Sequence, residues 1–253
     1  MTLTIGVSLK MYFGYDQTVR WCRTVADRLG GHPALRGGGA RLFVLPAFPA
    51  IAPAAAAFRD TPIAVGAQNL SAADSGAFTG EVSGAMVREA GARYVEVGHA
   101  ERRALFGEDE STVAAKTAAA LRNGLVPVLC LGEDRRMPAA DAAAECVRQL
   151  SSALHAADRQ GLGGMVVVAY EPVWAIGAER PAGEDHITAV CAVLRQAVTA
   201  RHGRAGSTVI YGGSAGPGLL TRVAGAVDGL FLGRFAHDPG ALESVIDEAG
   251  ALA

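Results

Sequence analysis

Eight short apolar runs, each followed by a stretch with helical periodicity, recur along the whole of this 253-residue chain. They lie at Leu3–Lys10, Arg41–Pro46, Ile63–Gln68, Arg93–Gly98, Val126–Leu131, Met165–Tyr170, Thr208–Tyr211 and Gly229–Leu232. Strands without a polar face are buried on both sides, the condition of a parallel sheet covered by helices. Eight such units joined by right-handed crossovers predict an α/β fold, a closed eight-stranded parallel (β/α)8 barrel forming a single domain over residues 1–253. An open, doubly wound sheet is the alternative. Against it, no Gly-x-Gly-x-x-Gly follows the first run, and Gly37-Gly38-Gly39 precedes the second run, where it reads as a turn. No shift of composition and no Pro/Gly/Ser-rich linker marks a domain boundary.

Polar and glycine residues gather just after the runs: Lys10, Gln68-Asn69, Gly98-His99, Glu133, Glu171, Gly212-Gly213-Ser214 and Gly233-Arg234. A closed barrel brings all eight strand ends to one face, so this pattern predicts one site there. The formal charge of −2, from 23 basic and 25 acidic residues, gives no reason to expect nucleic acid or an anionic membrane as partner. Cys22, Cys130, Cys146 and Cys191 are too scattered for a zinc site and read as buried thiols in a reducing compartment. No apolar stretch approaches the roughly 18 residues of a membrane span, and the N-terminus has no export pattern, so a cytoplasmic protein is expected. The alanine-rich stretches at 52–57 and 139–144 read as helix-forming surface.

Three segments carry a resemblance to the triose-phosphate isomerase family: Ala169-Tyr170-Glu171-Pro172-Val173-Trp174-Ala175-Ile176-Gly177, Gly98-His99-Ala100-Glu101-Arg102-Arg103 and Tyr211-Gly212-Gly213-Ser214. Leu9-Lys10-Met11 and Gly76-Ala77-Phe78-Thr79-Gly80-Glu81 extend it in order along essentially the whole chain. The resemblance implies a TIM barrel and an isomerase that moves a carbonyl through an enediol. In that division of labour, known for this family, Glu171 is the base and neutral His99 the electrophile, its pKa held down by the helical turn it begins. Lys10 would offset charge on phosphate and enediolate. Gly177, Gly212, Gly213, Ser214, Gly233 and Arg234 would form the phosphate cradle, with Ser8 beside them in the substrate pocket. The stretch from Pro172 to about Gly183 resembles a mobile lid, with Trp174 moving towards Glu133 and Tyr211 latching the closed form. Glu101 resembles a supporting residue, and its ordinary reading is an ion pair with a nearby arginine. The loop Asn69–Glu81 resembles the one that docks into a second subunit and carries Thr79 to the partner's site. A homodimer, a small phosphorylated sugar as substrate, and no metal or cofactor follow by the same resemblance.

The chain departs from the family pattern in its pocket. Ser8 stands where an asparagine is expected, Arg234 where the second of two glycines is expected, and Ala100 replaces a serine. Ala178-Glu179-Arg180-Pro181 replaces a threonine-glycine-lysine-threonine pattern in the lid, with Pro181 fixing one φ angle. Arg234 either binds phosphate through its side chain or points into solvent. The Ser8 and Arg234 variants resemble the family's erythrulose-phosphate isomerase branch. Two substrates therefore stay open. One is the triose pair of dihydroxyacetone phosphate and glyceraldehyde 3-phosphate, as in glycolysis and gluconeogenesis. The other is the conversion of L-erythrulose 1-phosphate to D-erythrulose 4-phosphate, as in erythritol catabolism. A silent sugar-phosphate-binding barrel has no use for a desolvated base. An aldolase would need a lysine on a late strand, and a metal-dependent hydrolase would need His/Asp ligands at strand ends.

Overall fold

The computed structural model describes residues 2–253, so Met1, the first residue of the expected domain, lies outside the described residues. The strands are β1 (Leu3–Ser8), β2 (Ala40–Leu45), β3 (Ala64–Ala67), β4 (Tyr94–Val97), β5 (Val126–Leu131), β6 (Val167–Tyr170), β7 (Thr208–Tyr211) and β8 (Gly229–Leu232). Each pairs in parallel with the next, and β8 pairs back onto β1 with Thr4 opposite Gly229 and Val7 opposite Leu232. That closure excludes the open sheet. At the seam Gly229 has φ 150°, and a Cβ there would overlap the Thr4 carbonyl, so only glycine lets the last strand approach the first.

The helices are α1 (Tyr15–Leu29), α2 (Pro33–Arg36), α3 (Ile51–Ala57), α4 (Gly84–Glu89), α5 (Ala100–Phe106), α6 (Glu110–Arg122), α7 (Ala139–Arg159), α8 (Glu184–Thr199), α9 (Leu219–Arg222) and α10 (Pro239–Leu252). Alternation along the strands divides the core. On β5, Val128 and Cys130 point into the barrel with Phe43, Val167, Ala169, Ile210 and Phe231, while Leu129 and Leu131 pack outward. The helices cover that outer layer with apolar stripes. Helix α1, for example, buries Thr18, Trp21, Cys22, Val25 and Leu29, the spacing of one helical face. Each large side chain so buried contributes about 1.5–3 kcal/mol.

The sequence runs overreach the ladders by one or two residues at several ends, for physical reasons. Lys10 has left the sheet with φ 48° and Gly98 with φ 74°, each turning the chain into the loop above the barrel. The alanine stretches are not only surface: Ala54, Ala142 and Ala143 are buried, where a small side chain allows close packing of α3 and α7. All four cysteines are free and buried. No helix among the described residues is long and apolar enough to cross a membrane.

Candidate active site

The ends of β1, β4, β6, β7 and β8 surround a cavity of ≈ 650 Å³, a volume suited to a small phosphorylated ligand. Ser8, Lys10, His99, Glu101, Glu171, Gly177, Gly212, Ser214, Gly233 and Arg234, all singled out in the sequence, line it. Lys10 and Ser214 are the two non-glycine residues with positive φ among the described residues. Such backbone costs about 1–3 kcal/mol per residue and persists where surrounding structure enforces it, commonly at working sites.

Glu171 follows β6 and is 7 % exposed. Its Oε2 has no hydrogen-bond partner and sits 3.8 Å from His99 Nε2. Burial pushes its pKa above the ordinary carboxylate value, and the Glu96 carboxylate adds to the rise, while His99, Cys130 and Lys10 oppose it. A Cβ at Gly212 would come within 2.7 Å of the Glu171 side chain and push it from its place, so glycine here leaves the carboxylate where it stands.

His99 caps α5, and its Nδ1 accepts a hydrogen bond from the backbone N–H of Glu101 at 3.1 Å. A ring nitrogen that accepts carries no proton, so neutral His99 holds its hydrogen on Nε2, the nitrogen that faces Glu171. Lys10 Nζ donates to Glu101 Oε1 at 2.5 Å. The partner of Glu101 is therefore this lysine and not the arginine expected from its ordinary reading, because the turn at Lys10 brings the ammonium over the start of α5. Burial pulls the Lys10 pKa down, but the hydrogen bond and charge of Glu101, with Glu171 and Glu96 behind it, outweigh burial and raise it, keeping the ammonium charged. A shielded carboxylate, a neutral N–H donor and a cation thus converge on one space. Such a set can take a proton from carbon and stabilise the oxygen charge that results.

The loop after β6 is held down over the cavity. Trp174 Nε1 donates to Glu133 Oε1 at 2.9 Å, and the backbone N–H of Ala182 donates to the Tyr211 hydroxyl at 2.8 Å. Ser214 Oγ lies 2.9 Å from the Ala175 carbonyl and 2.8 Å from that of Ala178. The Ser214 hydroxyl is therefore engaged with the loop, which leaves its backbone N–H for a ligand. Gly213 does not line the cavity but packs against the Tyr211 ring and Ala175. Arg234 is exposed yet lines the cavity wall, with Nη2 3.8 Å from where a Gly177 Cβ would stand. Thr79 is apart from all of these, on the exposed tip of the loop after β3 beside Phe78.

A model of the family described as triosephosphate isomerase matches residues 3–249. The chain belongs to that family. It is 55 % identical over 250 residues to the L-erythrulose-1-phosphate isomerase of Pectobacterium atrosepticum, covering 99 % of this chain and 96 % of that protein. It is 37 % identical over 253 residues to the L-erythrulose-1-phosphate isomerase of Mesorhizobium japonicum, covering 98 % of this chain and 97 % of that protein. The triosephosphate isomerase of Symbiobacterium thermophilum is 41 % identical over 207 residues, covering 79 % of this chain and 80 % of that protein.

As a member of the triosephosphate isomerase family the protein is an isomerase, and two residues of its site escape a reading by motif. Glu96 is a buried carboxylate on β4, with Oε2 accepting from Ser8 Oγ at 2.8 Å and Oε1 3.9 Å from His99 Nε2. Its signal was available: a charged residue within Tyr94-Val95-Glu96-Val97, an otherwise apolar run. His186 on α8 lies 2.9 Å from the Tyr170 hydroxyl and 3.2 Å from Glu133 Oε1, joining the group that anchors Trp174. Nothing near His186 in the sequence announces this contact, which only the packing of α8 against the ends of β5 and β6 creates.

Proposed function

We propose that the protein interconverts L-erythrulose 1-phosphate and D-erythrulose 4-phosphate by proton transfer through an enediol. Glu171 removes the proton from C3, and the electron pair moves onto the C2 oxygen, leaving an enediolate. The Nε2–H of His99 and the Lys10 ammonium stabilise its oxygens. His99 Nε2–H gives its proton to the C2 oxygen and takes one back from the C3 hydroxyl, while Glu171 returns its proton to C2, so the carbonyl is left at C3. Backbone N–H groups around Gly177, Ser214 and Gly233 receive the phosphate, with the Arg234 guanidinium beside them. Lid closure keeps water from the enediolate.

The observation that carries the C4 reading is the 55 % identity, over nearly the whole chain, to a protein named L-erythrulose-1-phosphate isomerase, and it supports that substrate over the triose. Ser8 supports it, since a side chain smaller than asparagine leaves room beside the reacting carbon. The triose pair is the second reading, favoured by the 41 % identity to a triosephosphate isomerase. The test is kcat/KM of the purified protein for L-erythrulose 1-phosphate and dihydroxyacetone phosphate side by side. The tetrulose is expected to win by orders of magnitude, and equal or better turnover of the triose overturns the proposal.

A homodimer and a cytoplasmic location complete the proposal. Met11, Phe78, Met86, Leu105 and Phe106 are exposed apolar side chains on or beside the loops after β1, β3 and β4, a surface that a second copy would cover. Sedimentation at micromolar concentration should give twice the chain mass. The four free, buried cysteines accord with a reducing compartment.

A further inference from the structure

Glu96 is 3 % exposed, does not line the cavity, and comes from the middle of a strand whose neighbours are apolar. A carboxylate in such a place destabilises the fold unless its partners compensate, and an aliphatic side chain would fill the same space without that cost. Its near partner is the Ser8 hydroxyl, at 2.8 Å, with the Cys130 thiol a weaker donor at 3.9 Å. The position of Glu96 therefore calls for an explanation in what it does to Ser8.

A serine hydroxyl has one hydrogen to give. Ser8 gives that hydrogen to Glu96, so only lone pairs of Oγ are left for the cavity that Ser8 lines. The charge behind it makes the oxygen a better acceptor. An asparagine amide at this position would offer a donor instead, so the pair inverts the polarity of this point of the pocket. Glu96 also lies 3.9 Å from His99 Nε2, which places Ser8 at the end of the cavity where the proton moves.

The two candidate substrates differ at that end alone. Dihydroxyacetone phosphate carries a hydrogen on the reacting carbon where L-erythrulose 1-phosphate carries a hydroxymethyl group. Resting on the isomerase reading above, we infer that Glu96 is a positioning residue that fixes Ser8 as a hydrogen-bond acceptor, and that Ser8 reads the terminal hydroxyl of the C4 substrate. A triose phosphate has no group to offer it.

The test compares L-erythrulose 1-phosphate with its 4-deoxy analogue, in which a methyl group replaces the hydroxymethyl. The readout is the ratio of their kcat/KM values in the wild type, E96V, E96Q, S8A and the double variant S8A/E96V. The wild type should prefer the hydroxylated substrate, and E96V should reduce that preference about 10- to 100-fold. E96Q, whose amide oxygen still accepts from Ser8, should keep most of it. S8A should lose it as E96V does, with no further loss in the double variant. General damage to folding or catalysis lowers both substrates and leaves the ratio unmoved. An unchanged ratio in E96V, or additive losses in the double variant, overturns the inference. If E96V does not fold, loss of the preference in E96Q as complete as in S8A overturns it equally. Failure of the isomerase reading shows separately, as a wild type that does not turn over L-erythrulose 1-phosphate at all.

Discussion

The backbone N–H of Glu101 points at Nδ1 of His99 and fixes the proton of the neutral ring on Nε2, 3.8 Å from the carboxylate of Glu171. A donor is thereby aimed into the cavity without a charged imidazole. His99→Gln puts a floppier amide in its place. It is expected to cost about 10²–10³ in kcat, the scale of losing one oxyanion donor. Steady-state kinetics check this, and turnover like the wild type's would remove His99 from the mechanism.

Glu171 carries a cost in stability that follows from its burial. Its native pKa is raised above the ordinary 4.5, chiefly by desolvation. Between those two values the native state holds a proton that the unfolded chain has released, so stability falls as pH rises through the raised pKa. Glu171→Gln removes this dependence. The variant should lose several orders of magnitude in kcat with a modest change in KM, yet have a higher Tm than the wild type at pH 7 and a smaller advantage at pH 4. The acid limb of wild-type kcat/KM should lie above pH 4.5 for the same reason. A Tm gain that does not shrink at low pH would mean that the carboxylate is not strained by burial.

The barrel was legible because its strands are apolar on both faces, and the ends of β5, β7 and β8 fall where those runs stop. The ends of β1, β3 and β4 were not, because Leu9, Gln68 and Gly98 continue the apolar or extended pattern after the ladder has ended. Leu9 still donates its N–H to the Leu45 carbonyl at 3.1 Å, half inside the sheet. Residues that line the cavity were legible through motif, since Glu171, His99 and Lys10 sit in segments with a fixed order. Glu96 and His186 act through contacts between elements 88 and 53 residues apart in sequence, to Ser8 and Glu133, and no local pattern encodes such pairs.

The loop after β6, proposed above to close over the substrate as a lid, is held down by hydrogen bonds near both of its ends, and the far end depends on one hydroxyl. Tyr211 accepts from the Ala182 N–H, and burial holds its phenol pKa well above the usual value, so it stays a neutral phenol. Tyr211→Phe leaves that buried N–H unsatisfied, at about 1–3 kcal/mol in favour of the open lid. The expected result is roughly a 10- to 100-fold loss in kcat/KM with the fold intact by circular dichroism. Activity within twofold of the wild type would show that the anchor of Trp174 on Glu133 suffices alone.

In the proposed reading Ser8 and Arg234 are two of the residues by which the pocket departs from a triose-phosphate site, and the contact with Glu96 changes what their reversal should do. Ser8→Asn places an amide within reach of the Glu96 carboxylate, which will take one of its N–H groups just as it takes the serine hydroxyl. Arg234→Gly removes the guanidinium that lies beside Gly177 at the edge of the lid. The double variant should therefore shift kcat/KM towards dihydroxyacetone phosphate only in part. Adding Glu96→Val frees the amide for the substrate and should shift the preference further, although Glu96 itself touches neither substrate. Competition between the two substrates in one assay measures the shift directly. If the double variant already reaches the full shift and the third change adds nothing, the amide is not held by Glu96, and the pocket discriminates by volume rather than by the direction of a hydrogen bond.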